Sequence, residues 1–491
     1  MAELNRRSLL RGSAVVAGSA IVGGPFLGFV ARDAAMAAGS TPAATPVLEP
    51  VADLRDGAVR LWLPKGFQYR SFHDNEYGPV LDGGGALPGR HDGMGAFRGP
   101  DGTTILVRNH EVANAGVPFG DVATAYDKQA RGGTTTVRVT RHGEVLSTTA
   151  SVNGTMSNCS GGIMPWGSWI TCEETVNGPD VGPDFTGRPN VSLEQRHGFI
   201  FEVPVRGQSD GEPITAAGRF AHESVAFDPR SGYLYLTEDN FGFPSGFYRY
   251  KPPRHPGHAC KLADGGRLQM LAVRRRPNLD LAADQRRHAT YRVEWVDIDD
   301  PAPSFPYTPG EVTPTTNDTA LTHVARQGWA QGAAYFSRLE GSVYEDGVVY
   351  FTATQGGGPA ETSIGPIADG YGNGQGQVWA YHCASSVLRL VYQSPGPGTL
   401  DFPDNITTSP RGTLVLCEDN VNDNYIRGLT RGGRLFDIAL NRLVGKDGTN
   451  RSNDEFAGST FSPDGHTLFV NIQATNGMTF AIWGDWRSIG V

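Results

Sequence analysis

The chain is poor in the features that mark several protein classes. Beyond its first segment no stretch is apolar enough to cross a bilayer, which would take roughly 20 residues, so the mature protein is expected to have no membrane span. Sustained helical periodicity is almost absent, which excludes a helix bundle. The formal charge is −9, so a nucleic acid is not expected as a main partner. Cysteines number only 5, an odd count, so the fold does not rest on a fully paired disulfide framework.

What is abundant is glycine, 65 residues, and proline, 33. Short runs of Val, Tyr, Phe and Leu lie between them, which reads as many strands joined by many turns. The N-terminus reads differently. Arg6-Arg7 precede Ser8-Leu9-Leu10, a modestly apolar run follows, and Ala35-Met36-Ala37 gives a small-x-small cleavage pattern. Residues 1–38 are therefore expected to be a Tat signal peptide, with the Tat translocase as export partner and a periplasmic, extracellular or envelope destination. Residues 39–491 are expected to form the functional domain.

One pattern recurs along that domain. A polar residue opens a short strand, a turn follows, and a second strand closes on polar or acidic residues. "HESVAFDPRSGYLYLTEDN" from His222 is the clearest copy. Others begin at Leu339, Pro403 and Glu455, and looser ones at His91 and Asn158. Most spacings are about 55–65 residues, longer than a common propeller blade. One spacing is doubled by a Pro- and Arg-rich region near 251–330, read as an insertion. The expected fold is an all-β, six-bladed β-propeller.

In a propeller the innermost strands line a central channel. An antiparallel hairpin puts the start of its first strand and the end of its second at one end. The opening residues include Asp92, Cys159, Glu223, Glu340, Asp404 and Glu455, and the closing ones His110-Glu111, Glu173-Glu174, Glu238-Asp239 and Glu418-Asp419. All should meet at one mouth of the channel. Crowded carboxylates cost several kcal/mol each unless cations join them. Oxygen clusters suit hard ions such as Ca²⁺, and one thiolate among them suits a transition metal. Cys159 sits beside Gly161-Gly162 outside any apolar run and is the thiol expected in the cluster. Cys172 and Cys417 lie inside apolar strands and read as core. The candidate metal ligands are Cys159, Glu174, Glu223, Glu238, Asp239, Glu340, Glu418, Asp419 and Glu455. Side chains alternate along a strand, so only one of Glu173 and Glu174 should face the metals.

The motifs "RNHE", "NCSGGIMPWGSWITCEE", "HES", "TED", "RLEG", "CEDN" and "EFAG…FSPDG…LFVNIQ" together resemble the PhoX-type alkaline phosphatases, from about residue 50 to the C-terminus. The resemblance implies a Tat-exported six-bladed propeller with ferric iron and calcium ions at the channel mouth, hydrolysing phosphate monoesters and some diesters. It implies that Cys159 is an iron ligand, that Glu223, Glu340 and Glu455 bind metal, and that Arg338, two residues before Glu340, contacts the phosphate. Arg108 is a further candidate phosphate contact, with a structural salt bridge as its alternative, and Asn109 a candidate beside it. The chain is shorter than many PhoX enzymes, and its insertions between blades look reduced.

Other readings compete. A calcium-dependent propeller lactonase or esterase would also gather carboxylates and a metal, but needs neither the thiolate nor the arginine. A non-catalytic exported propeller would use metals as staples. A quinoprotein dehydrogenase lacks support, since there is no vicinal cysteine pair and no repeated tryptophan-docking motif.

Overall fold

A computed structural model describes residues 46–184, 186–256 and 261–491. The segment expected to be a signal peptide, residues 1–38, and Cys260 lie outside the described residues. Three strands lead in: β1 (Leu48–Ala52), β2 (Val59–Pro64) and β3 (Gln68–Phe72). A four-stranded sheet follows, made of β4 (His91–Arg98), β5 (Thr104–His110), β6 (Gly132–Val139) and β7 (Val145–Thr155). The second sheet has β8 (Asn158–Met164), β9 (Ser168–Glu173) and β10 (Ile200–Pro204).

The third runs β11 (His222–Asp228), β12 (Tyr233–Glu238), β13 (Phe247–Lys251), β14 (Arg267–Val273) and β15 (Thr290–Asp297). Helix α1 (Asn317–Ala330) comes next. β15 pairs with the outer strand of the fourth group, β16 (Leu339–Glu345), β17 (Val348–Ala353), β18 (Gln377–His382) and β19 (Val387–Gln393). The region read as an insertion thus supplies α1 and two strands that extend the third sheet. The sequence pattern did not suggest this helix, whose N-terminus is capped by Thr316.

β20 (Pro403–Thr408), β21 (Leu414–Glu418), β22 (Tyr425–Leu429) and β23 (Leu435–Asn441) carry β2 and β1 on their outer edge. The last group is β24 (Glu455–Phe461), β25 (Thr467–Gln473) and β26 (Met478–Trp483), completed by β3 from the start of the domain. Joining the two chain ends in one sheet leaves no open seam. A short helix, α2 (Trp486–Ile489), ends the chain.

The first strands pack side by side in the order β4, β8, β11, β16, β20, β24, and β24 returns to β4. The fold is all-β and propeller-like, with these strands around the axis. Sheets stack face to face, so inner strands are buried on both sides. β5, β11 and β17 are buried along their whole length; β17 reads as a near-continuous apolar run, whereas β5 and β11 also bury polar residues at their ends. Between the first two sheets the core is Val107, Val152, Trp169 and Val203; between the last two it includes Val415, Ile426, Leu468 and Phe480.

Every opening hairpin carries the same irregularity. Register slips by one residue between His91 and Met94, Asn158 and Gly161, His222 and Val225, Leu339 and Ser342, Pro403 and Ile406, and Ala457 and Thr460. Each is a β-bulge, which bends the strand and re-aims a side chain. The bulged pairs are Asp92-Gly93, Cys159-Ser160, Glu223-Ser224, Glu340-Gly341, Asp404-Asn405 and Gly458-Ser459. Every second member but Asn405 is glycine or serine, and at the glycines the packing requires it. A Cβ on Gly93 would lie 2.5 Å from the Ser160 Cα, and one on Gly341 would lie 2.6 Å from the Ile406 nitrogen.

Candidate metal centre

The bulges decide which side chains reach the channel mouth. Five of the six put a donor first: Asp92, Cys159, Glu223, Glu340 and Asp404. The sixth puts Gly458 there, at φ +60°, where a Cβ would meet the Asp92 carbonyl oxygen at 2.2 Å. Glu455, three residues earlier, supplies the carboxylate of that sheet, beside Asp419, Asp404 and Asp92.

The returning strands obey a second register. The backbone N–H groups of Glu111, Glu174, Asp239, Thr354 and Asp419 donate to the carbonyls of Arg90, Ser157, Ala221, Arg338 and Phe402, the residues just before each inner strand. These closing residues turn to the mouth, while the residue before each turns into its sheet. Nine carboxylates and one thiol therefore share each other's field: Asp92, Glu111, Glu174, Glu223, Asp239, Glu340, Asp404, Asp419, Glu455 and Cys159. Below them runs a cavity of about 420 Å³ between the inner strands, lined by uncharged residues such as Ser224, Val225, Asn405 and Ser459.

Two groups have donor atoms within 4.8 Å of one another: Cys159, Glu174 and Glu223, and Glu223, Glu340 and Asp404. Glu223 belongs to both. Two carboxylate charges at that separation repel by about 3–4 kcal/mol at an effective dielectric of ~20. Burial first, and then neighbouring carboxylates, push the carboxyls of Glu174, Glu223, Glu340 and Asp92 well above their usual range. The Asp404 carboxyl is pushed up to about 7 by burial and then by Asp419. Burial and then Glu223 raise the Cys159 thiol. Asp92 Oδ1 is buried with no hydrogen-bond partner among the described residues. A converging set of oxygens, one sulfur and an orphaned carboxylate oxygen is the donor set that hard cations and one transition metal satisfy.

Arg338 brings a largely enclosed cation to this mouth. Its Nη2 meets Asp239 Oδ2 at 2.8 Å and Glu340 Oε1 at 3.0 Å, and its Nε reaches Asp239 Oδ1 at 3.2 Å. Its guanidinium lies 5.2 Å from the Phe241 ring centroid. The backbone is held at φ +34°, a left-handed value costly for a side-chain-bearing residue.

A family model described as "Alkaline phosphatase PhoX" matches residues 47–476. The chain belongs to the PhoX family. It is thus a hydrolase of phosphate esters. Among solved structures, Pseudomonas fluorescens PhoX in complex with vanadate, a transition state analogue, is similar with a TM-score of 0.63 at 17% identity, covering 90% of this chain and 98% of that one. A Xanthomonas campestris gluconolactonase, XC5397, is similar at 11% identity and a TM-score of 0.38, covering 90% and 98%. The periplasmic gluconolactonase PpgL of Pseudomonas aeruginosa gives 15% and 0.34, covering 89% and 88%. No curated protein sequence matches the chain.

Of the residues that the PhoX resemblance singles out, Cys159, Glu223 and Glu340 lie in the two donor groups, Glu455 beside them, and Arg338 against Glu340. Glu174, Asp239 and Asp419 also face the mouth. Four expectations need correction. Glu238 accepts from the Gly246 N–H at 2.8 Å and the Tyr248 hydroxyl at 2.9 Å, inside its own sheet. Glu418 is tied to Arg427 Nε at 2.9 Å and to the backbone of Asp401 and Tyr425. Both stand one residue short of the mouth-facing register.

Arg108 is buried between the first and last sheets, where its Nη1 donates to Thr479 of β26 at 2.7 Å. Burial without an acid partner lowers its pKa to about 9. Among the described residues it joins no salt bridge, and its complete burial keeps it from the open mouth where a phosphate would enter. Asn109 donates to the Cys159 and Ser160 carbonyls at 2.8 and 2.7 Å and accepts from Trp169 and Thr171. It holds the cysteine bulge from behind and does not reach substrate.

Asp92, Asp404 and Glu111 were missing from the candidate ligands, although the hairpin pattern had placed all three at the mouth. The signal was available: each sits at a bulge or closing position already filled by a donor in neighbouring repeats.

Proposed function

We propose that this PhoX-family chain is an exported alkaline phosphomonoesterase, with some capacity for diesters, that works through iron and calcium. The observation that carries the reading is the pair of donor groups sharing Glu223, with the one thiol confined to one of them. Cys159, Glu174 and Glu223 suit Fe³⁺; Glu223, Glu340 and Asp404, all oxygen, suit Ca²⁺. Glu455, Asp92, Glu111, Asp239 and Asp419 stand around them as further oxygen donors. When bound, these ions would polarise the phosphoryl oxygens and offset the transition-state charge.

The chain's own residues do the rest. A phosphate monoester is dianionic, and nine carboxylates alone would repel it. Arg338 brings a fixed positive charge to the mouth. Asp239 and Glu340 occupy its Nε and Nη2, so Nη1 is the donor left for a phosphate oxygen. The bulges and Asn109 keep the donors in place before substrate arrives, which lowers the reorganisation needed during reaction. The twin-arginine leader supports delivery by the Tat route, which carries folded and metal-loaded cargo.

The test is elemental analysis of purified protein beside hydrolysis of an aryl phosphate with and without Ca²⁺. Iron and calcium in the protein together with Ca²⁺-dependent turnover support the reading. Iron-free protein with full activity, or lactone turnover far above phosphate turnover, overturns it.

A further inference from the structure

Arg90 occupies in the first sheet the place that Arg338 occupies in the fourth. Each is the residue just before its inner strand, and each accepts through its carbonyl from the closing residue of its own hairpin, Glu111 or Thr354. Both hold a left-handed φ, +48° and +34°, which turns the side chain out of the strand path towards the mouth. Both bind mouth-lining side chains: Arg90 Nη1 meets Glu111 Oε2 at 3.2 Å and Gln473 Oε1 at 2.7 Å. In the ring of inner strands β4 and β16 are three places apart, so the two arginines stand on opposite sides of the axis.

They differ in what is left over. Arg338 is largely enclosed, with 14% of its side chain exposed, and its fork is closed on Asp239. The Arg90 side chain is 45% exposed, and its Nε and Nη2 bond to none of the described residues. That edge of a guanidinium is the one that takes a carboxylate or phosphate with two parallel hydrogen bonds.

We propose that Arg90 is a specificity-determining residue that receives a second anionic group of the substrate, a carboxylate or a further phosphate, while Arg338 and the metal centre hold the phosphate that is cleaved. The proposal rests on the phosphatase reading and narrows it to esters carrying two negative groups. A neutral leaving group gives Arg90 nothing to bind. A charged one would otherwise meet only carboxylates at this rim.

The test uses metal-loaded protein and two matched pairs of compounds. The first pair is 3-phosphoglycerate and glycerol 3-phosphate as substrates. The second is 3-phosphonopropionate and propylphosphonate as non-hydrolysable ligands, measured by calorimetry. Arg90→Ala is expected to lower kcat/KM about tenfold or more for 3-phosphoglycerate beyond any loss for glycerol 3-phosphate, mainly through KM. It should remove the wild-type preference for 3-phosphonopropionate, and Arg90→Lys should restore part of it. Equal losses on both members of each pair, or none, overturn the assignment and leave the phosphatase reading standing. Absence of hydrolysis of either ester by wild type, with Ca²⁺ present, sinks the phosphatase reading and the assignment with it.

Discussion

Glu173 and Glu174 are adjacent at the end of one strand and face opposite ways. Glu174 joins Cys159 and Glu223 at the channel mouth. Glu173 is turned into the sheet, where its carboxylate accepts from the backbone of Met156, Gly198 and Phe199 and meets His197 Nδ1 at 2.6 Å. The first carboxylate is one of the donors proposed to hold the metals. The second ties down the loops that hold that donor, and His197 passes the tie on to Asp127 at 3.4 Å.

The contrast between Glu223 and Glu238 makes a direct test of the register. Glu223→Gln removes the one carboxylate common to both donor groups and should strip both iron and calcium below half their wild-type content. Glu238→Leu should leave metal content unchanged. It strands the Tyr248 hydroxyl and the Gly246 N–H, at about 1–3 kcal/mol for each buried donor left unsatisfied, so the thermal midpoint should fall. Metal analysis and calorimetry on the two variants check both halves.

Cys159 is the only thiol in either donor group. Bound to ferric iron, its thiolate gives a broad visible charge-transfer band. Cys159→Ser should abolish that band and lower iron far more than calcium. Cys172→Ser, at a buried position outside both groups, should keep the band. Absorption spectra beside elemental analysis decide it.

The His197 imidazole contributes a pH dependence to stability. Burial opposes its protonation, but Glu173 and Asp127 outweigh that and hold its pKa at about 9, above the ordinary histidine value of 6.5. A raised folded-state pKa stabilises fully below 6.5 and is lost as pH rises through 9. Wild-type protein should therefore lose stability between these values, on the order of a few kcal/mol, whereas His197→Gln starts lower and shows a flatter profile. Thermal midpoints across that range measure it.

The repeats and the convergence of acidic residues were legible because they follow from hydrophobic patterning and antiparallel pairing. The bulges were not. Period-two alternation treats Glu238 and Glu174 as equivalents, since each ends an apolar run. An extra residue on each inner strand shifts the mouth-facing position by one, to Asp239 and Asp419. Glu455 opens its strand in sequence, yet the bulge of its sheet falls at Gly458, which the Asp92 carbonyl keeps bare. Arg108 reads as a phosphate contact from its place in the motif RNHE. Only the packing shows it enclosed between the first and last sheets, with its terminal nitrogens on Thr479 and Thr135. The cysteines read better: Cys172 and Cys417 are fully buried, as their apolar strands suggested.

Arg338 separates phosphate from lactone chemistry. A phosphate ester is charged in the ground state and the transition state alike, so losing Arg338 should weaken binding and slow turnover together. A charge-assisted hydrogen bond is worth about 1.5–3 kcal/mol, or roughly tenfold to a hundredfold in kcat/KM. Arg338→Lys should recover only part of this. An ammonium carries its three protons on a single nitrogen, so it cannot reproduce the planar fork that meets Asp239 and Glu340 through Nε and Nη2 while Nη1 points elsewhere. Arg338→Ala also leaves Asp239 and Glu340 without their cation, so the experiment needs metal content measured alongside. With metals retained, loss confined to an aryl phosphate, and little change in whatever lactone hydrolysis exists, is the expected result. Unchanged phosphate hydrolysis in Arg338→Ala would show that the metals alone hold the substrate and that this arginine only balances the charge of the mouth.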